Sequence, residues 1–145
     1  MMDNFRHTRP FKGKRLDNGE WAFGFYNAFV NRGTGELEHF IQTVEEDGTI
    51  GLLHKVDQQT LCQYISTDKD GKPIYECDIV RHYTNWFYGD HESFVLRKVY
   101  WNEGYCAYLM TWPHKMPGSI TDKGTYEVVG NIFDNPELRK QWEWR

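Results

Sequence analysis

The segment DKDGKPIYECDIV, Asp68 to Val80, gathers carboxylates around a glycine, the composition of a calcium loop. Such a loop needs oxygen ligands at alternate positions, a glycine at its sharp bend and a bidentate glutamate to close it. With Gly71 at the bend, Ser66, Asp68 and Asp70 take the alternate positions. Cys77 then stands where the closing glutamate belongs, and Pro73 interrupts the loop. No apolar helical pattern flanks either end. The residues instead predict a tight turn at Asp70-Gly71, with Pro73 leading into a strand over Ile74–Arg81. Neither a metal nor a cofactor is expected.

Other chemistry-bearing residues are dispersed. His7, His39, His54, His82, His91 and His114 contain no pair at the helical spacing of a zinc site, and no HxE…CxxC deaminase pattern occurs. His82 and His91 flank one loop with Asp90 nearby, but a ligand cluster needs more convergent groups, so they read as solvent-facing loop histidines. Cys62, Cys77 and Cys106 form an odd set without CxxC spacing, which fits a reduced cytoplasmic setting. Ser66, Ser93 and Ser119 lack a nucleophile elbow, and Gly33 and Gly35 precede no Lys-Ser/Thr of a phosphate loop. Glu45/Glu46 and Glu76/Asp78 read as solvated faces, with one side chain binding backbone amides near a turn. Glu76 and Asp78 are expected on one face of a strand. No catalytic constellation emerges, so catalysis is not expected.

The most informative constellation is aromatic. Tyr83, Trp86, Phe87 and Tyr88 crowd a polar loop, His82–Glu92, which also holds Asn85 and Gly89. Loops rarely carry so much apolar area unless they fold back onto the domain or meet a partner. Both readings stand: a binding or oligomer surface, or packing against the domain. Arg81, Arg97 and Lys98 lie close in sequence, and in a nucleic-acid version the rings would stack on bases beside them.

The elements that must position these residues are mostly strands. Trp21 to Val30 alternates, with Trp21, Phe23, Phe25 and Phe29 on one face and Ala22, Gly24 and Ala28 on the other, which predicts a strand packed closely on both sides. Turns are expected at Asn18-Gly19, at NRGTGE and at EEDG, with a strand returning through Leu37, His39, Ile41 and Thr43 and another over Ile50–Val56. SFVLRKVYW and YCAYLMTW predict a hairpin with Asn102–Gly104 at the turn, and TYEVVGNIF a closing strand. Apolar residues on both faces of these strands suggest a curled sheet or small barrel covered outside. DNPELRKQWEWR reads as a short helix with Asn135 as N-cap and Leu138 and Trp142 on one face.

At 145 residues the chain is one domain or two small lobes sharing a core. Its net charge of −4 argues against broad phosphate-backbone binding. The N-terminal MMDNFRHTRPFKGKRLDNGEW has no apolar core, and no stretch could span a bilayer as a helix.

Three stretches resemble one known family. QYISTDKDGKPIYECDIVR resembles the signature of the YopX family, Q-Y-T-G-L-x-D-K-N-G-K-x-I-Y-E-G-D-I-V. YEVVGNIFDNPEL resembles its closing motif, and RPFKGKRLDNGEWAFG its opening, K-F-R-G-K-x-x-D-N-G-E-W. The three lie in the family's order and frame nearly the whole chain. The resemblance implies a mostly β protein carried by bacteriophages and prophages, with no general activity attached. Cys77 departs from the pattern where the family favours Gly, and Ile65-Ser66-Thr67 replaces Thr-Gly-Leu.

The expected fold is therefore mainly β: one domain comprising an N-terminal antiparallel β lobe (1–60), an SH3-like small β-barrel lobe (61–133, its strands from about Ile74 to Phe133) and a short C-terminal helix (134–145). The expected role is a cytoplasmic phage or prophage accessory protein acting by binding, with a host protein or a second copy as partner. A nucleic-acid-binding small barrel is the alternative, and no membrane is involved.

Overall fold

The computed structural model describes residues 10–83, 94–104, 106–110, 118–119 and 126–138. They form a mainly β protein whose backbone divides into two compact units, Met1–Tyr64 and Ile65–Arg145.

In the first unit, strands β1 (Phe11–Lys14), β2 (Trp21–Val30), β3 (Leu37–Val44) and β4 (Ile50–Lys55) form a meander. The start of β5 (Cys62–Thr67) joins the far side of β1, through Phe11↔Gln63 and Lys12↔Cys62. The turns fall where the sequence predicts them. Gly19, Gly35 and Gly48 supply left-handed φ values of 73°, 74° and 85°. Asn31 Oδ1 accepts from Gly33 N–H at 2.8 Å, and Asp47 Oδ1 from Thr49 N–H at 2.9 Å. A bridge between Arg15 and Val56 ties the end of β4 to the residue after β1. The sheet thus curls until its first and fourth strands touch at one end.

The period-two pattern of β2 is present, but its faces are unequal. Ala22, Ile41 and Val56 form the buried core, with Phe11, Tyr26 and Leu61 packed against it. Ala22 and Gly24 turn inward, and Gly24 lets the neighbouring β3 backbone approach closely: a Cβ there would lie 2.0 Å from the Gln42 carbonyl oxygen. The bulky face turns outward, leaving Phe23 51% and Phe29 53% exposed. Trp21 and Phe25 on the same face are half-buried.

In the second unit, β7 (Asp78–Tyr83) lies between β8 (Phe94–Asn102) and β11 (Tyr126–Asn131). The sheet continues from β8 through β9 (Ala107–Met110) to the two-residue β10 (Gly118–Ser119). Ile74, Val80, Val99, Met110 and Tyr126 form one buried cluster. Ile79 and Leu96 form another, joined by Val129, Ile132 and Leu138. Adjacent residues of β7 thus serve different clusters, since side chains alternate between faces. That explains the two-sided apolarity read as a barrel. Among the described residues the sheet is open, with β10 and β11 at its two ends, and the expected SH3-like closure is absent.

Two further expectations change. Ile74–Arg81 is not one strand: β6 (Pro73–Tyr75) ends at a turn through Glu76 and Cys77, and β7 begins at Asp78. Cys77 takes φ 68°, a left-handed value that breaks the extended run. The described part of the C-terminal stretch forms a 3-10 turn, Pro136–Leu138, and residues 139–145 of the expected helix lie outside the described residues. Asn135 does not point its oxygen into that turn; Oδ1 reaches back to accept from Asn131 N–H at 3.1 Å. Trp142 lies outside the described residues.

Candidate binding faces

The Asp68 region is a turn built by its own carboxylate. Asp68 N–H donates to the Lys72 carbonyl at 2.8 Å, and Gly71 takes φ 81°. Asp68 Oδ1 accepts from the amides of Asp70 and Lys72, each at 2.9 Å, and Oδ2 from Val128 N–H at 3.0 Å. Burial pushes this carboxyl up, but the amides of Val128, Asp70 and Lys72 and the Lys72 charge outweigh it and hold it below its ordinary value. Asp70 pairs instead with Lys69 at 3.1 Å.

Glu76 and Asp78 do not share a strand face, because the turn separates them. Asp78 is 2% exposed, and its Oδ2 accepts from Tyr75 N–H at 2.8 Å. Glu76 is half-buried, and burial raises its carboxyl above the ordinary value. Of the histidines, His39 is buried and meets the Tyr26 hydroxyl at 2.5 Å, while the His82 ring lies 4.7 Å from that of Tyr126. His91 lies outside the described residues, and the described residues contain no cluster of His, Cys, Asp and Glu fit to hold a metal ion.

Of the predicted aromatic group, Tyr83 ends β7 opposite Phe94, while Trp86, Phe87 and Tyr88 lie outside the described residues. Arg81 pairs with Glu127 at 3.5 Å, and Lys98 Nζ sits 5.8 Å from the Tyr100 ring centre. Arg97 is the ladder partner of Val80, one step out of phase with Lys98.

A second aromatic surface lies on the outer side of the first sheet. Trp21, Phe23, Phe25 and Phe29 alternate along β2, and the Phe29 ring is 5.8 Å from that of Phe40 on β3. Lys12 and Lys14 are the ladder partners of Phe23 and Trp21. Their ammonium groups lie 4.7 Å and 5.4 Å from the Trp21 ring, within cation–π range. On β3, Glu38 accepts from Asn31 at 2.7 Å and pairs with Lys55 at 3.2 Å. These two partners hold its carboxyl below its usual value despite desolvation. This face of β2 therefore carries rings at four of its five positions, with Asn27 at the fifth, beside charged residues on the neighbouring strands.

No helix among the described residues is long and apolar enough to cross a membrane. No curated protein matches the chain. A family model described as "YopX protein" matches residues 27–140. Two solved structures share the fold. Protein EF1440 from Enterococcus faecalis is 18% identical with a TM-score of 0.53, covering 89% of this chain and 96% of its own. Protein yopX from Bacillus subtilis is 18% identical with a TM-score of 0.52, covering 95% of this chain and 98% of its own.

Proposed function

Since the chain belongs to the YopX protein family, we propose that it acts by binding rather than catalysis, as a phage or prophage accessory protein that engages a host protein in regulation or counter-defence. The phage setting is the one implied by the motif resemblance. The observation that carries the binding role is the outer aromatic row of β2, where Phe23 and Phe29 are 51% and 53% exposed. Exposed aromatic rings are what protein partners cover, and they supply most of the energy when they do. The Tyr83–Tyr88 loop is a second candidate for the same role.

Nucleic acid is the other reading, favoured by Lys12 and Lys14 beside Trp21, since bases stack on such rings. Against it, Lys12 is 6% exposed and the net charge is −4.

The test is capture from bacterial host lysate with the full chain, beside Phe23→Ser/Phe29→Ser. A partner retained by the parent and lost by a variant of unchanged circular dichroism and melting supports the proposal. Equal capture by both removes the β2 row from the role. Micromolar binding to DNA or RNA that falls steeply with salt favours the nucleic-acid reading.

A further inference from the structure

Strand β4 is the last strand of its sheet, and its backbone directions are fixed by two bonds on the β3 side. Glu45 N–H donates to the Thr49 carbonyl at 2.8 Å, and Val56 N–H to the His39 carbonyl at 2.9 Å. In an antiparallel ladder, successive residues direct their N–H and C=O to opposite sides. Counting on from Thr49 sends Ile50 outward. Counting back from Val56 sends His54 inward and Leu53 outward. The odd residue is absorbed by the register shift between Gln42 and Val44. Outward backbone groups therefore stand at Ile50 and Leu53, not at alternate residues. Leu16 N–H, bonded to the Lys55 carbonyl at 3.0 Å, covers the edge beyond His54. The stretch between is strongly exposed: Ile50 73%, Leu52 71% and Leu53 47%.

A regular extended peptide offers groups at every second residue and does not match this spacing, which is how bulged edges resist indiscriminate pairing. A second copy of the same edge does match. An antiparallel two-fold alignment that sets Ile50 against the partner's Leu53 also sets Leu53 against the partner's Ile50. The same alignment brings Thr49 against the partner's His54; beyond it Leu16 closes the edge, so Lys55 meets the partner's turn through its side chain alone. The turn at that end holds Glu45, Glu46 and Asp47. The strand is thus acidic at one end and basic at the other, and antiparallel self-pairing brings opposite charges together twice.

We propose that the chain forms a two-fold dimer through the Ile50–Leu53 edge of β4. The proposal is independent of any host partner. So small a contact gives a weak dimer, with Kd in the micromolar range. Sedimentation equilibrium of the full chain up to roughly 100 μM tests it. The parent should dimerise, and Ile50→Lys should weaken dimerisation at least about tenfold with unchanged circular dichroism. Glu46→Lys and Lys55→Glu should each weaken it singly, and the double swap should restore it; Lys55 also pairs with Glu38, so only restoration speaks for the contact between copies. A monomer throughout that range, or a dimer indifferent to Ile50→Lys, overturns the proposal.

Discussion

The Asp68 carboxylate accepts a hydrogen bond from the amide of Val128 at 3.0 Å, across 60 residues of chain. Its other oxygen closes the turn at Gly71 through Asp70 and Lys72, so one buried side chain joins a local turn to the closing strand. Lys69 N–H, bonded to the Tyr126 carbonyl at 2.9 Å, strengthens the same junction.

Asp68→Ala should therefore cost about 3 kcal/mol, because it leaves amides that had a charged acceptor without one. The pH dependence follows from its lowered carboxyl. A group whose folded pKa is depressed contributes stability that is present above its unfolded value and lost as pH falls through the folded one. The gap between parent and Asp68→Asn in urea denaturation should be full at neutral pH and shrink in acid. A constant gap from pH 7 to acid would remove the carboxylate's role.

Cys77 is a non-glycine residue in left-handed backbone, φ 68°, with its N–H bonded to the Val99 carbonyl at 2.8 Å and its C=O to Ile132 N–H at 3.0 Å. The conformation is fixed by both bonds, so the residue carries the strain. Cys77→Gly should be about 1 kcal/mol more stable than Cys77→Ala, a comparison in which loss of the thiol cancels. Equal melting temperatures for the two would show that the turn relaxes.

This turn also marks where sequence reading runs out. IYECDIV has the composition of one strand, and the one sign that Cys77 turns left-handed was the Gly that the resembled pattern favours there; the bonds that hold it come from Val99 and Ile132. Asn18-Gly19, Gly48 and Asp68–Gly71 were legible because their own side chains and glycines build the turns. The apolar faces of β7 were legible too, but not whether closure or two separate clusters would cover them, which depends on distant residues such as Leu138. The outer ring surface of β2 was half legible: periodicity gave the two faces, but not which of them would join Ile41 and Val56 in the core.

Gly24 and Gly130 should both resist substitution, for different reasons. A Cβ on Gly24 would meet the Gln42 carbonyl oxygen at 2.0 Å, part of a paired strand that cannot yield alone. On Gly130, where the ladder with β7 shifts register, it would meet Asn135 Oδ1 at 2.3 Å, a side chain that can rotate away. Gly24→Ala should cost about 3 kcal/mol and Gly130→Ala nearer 1 kcal/mol, through overpacking. Gly33→Ala, in an exposed loop, should stay within about 0.5 kcal/mol. Denaturation midpoints ordered otherwise would show that β3 moves more freely than its pairing implies.

Glu76 gives a dependence of opposite sign to Asp68. Burial raises its carboxyl, so the folded state holds the proton more tightly than the unfolded chain. Stability from such a group is present below its unfolded pKa and is lost as pH rises through the folded value. At neutral pH the charged Glu76 therefore opposes folding, and Glu76→Gln, which keeps the shape without the charge, should raise the melting temperature. In acid, where the parent carboxyl is protonated, parent and variant should converge. The two profiles are separable in a double variant: Asp68→Asn acts through loss of a bonded anion, Glu76→Gln through removal of a desolvated one. A Glu76→Gln variant that melts below the parent at pH 7 would mean the carboxylate has a charged or hydrogen-bonding partner that outweighs its burial.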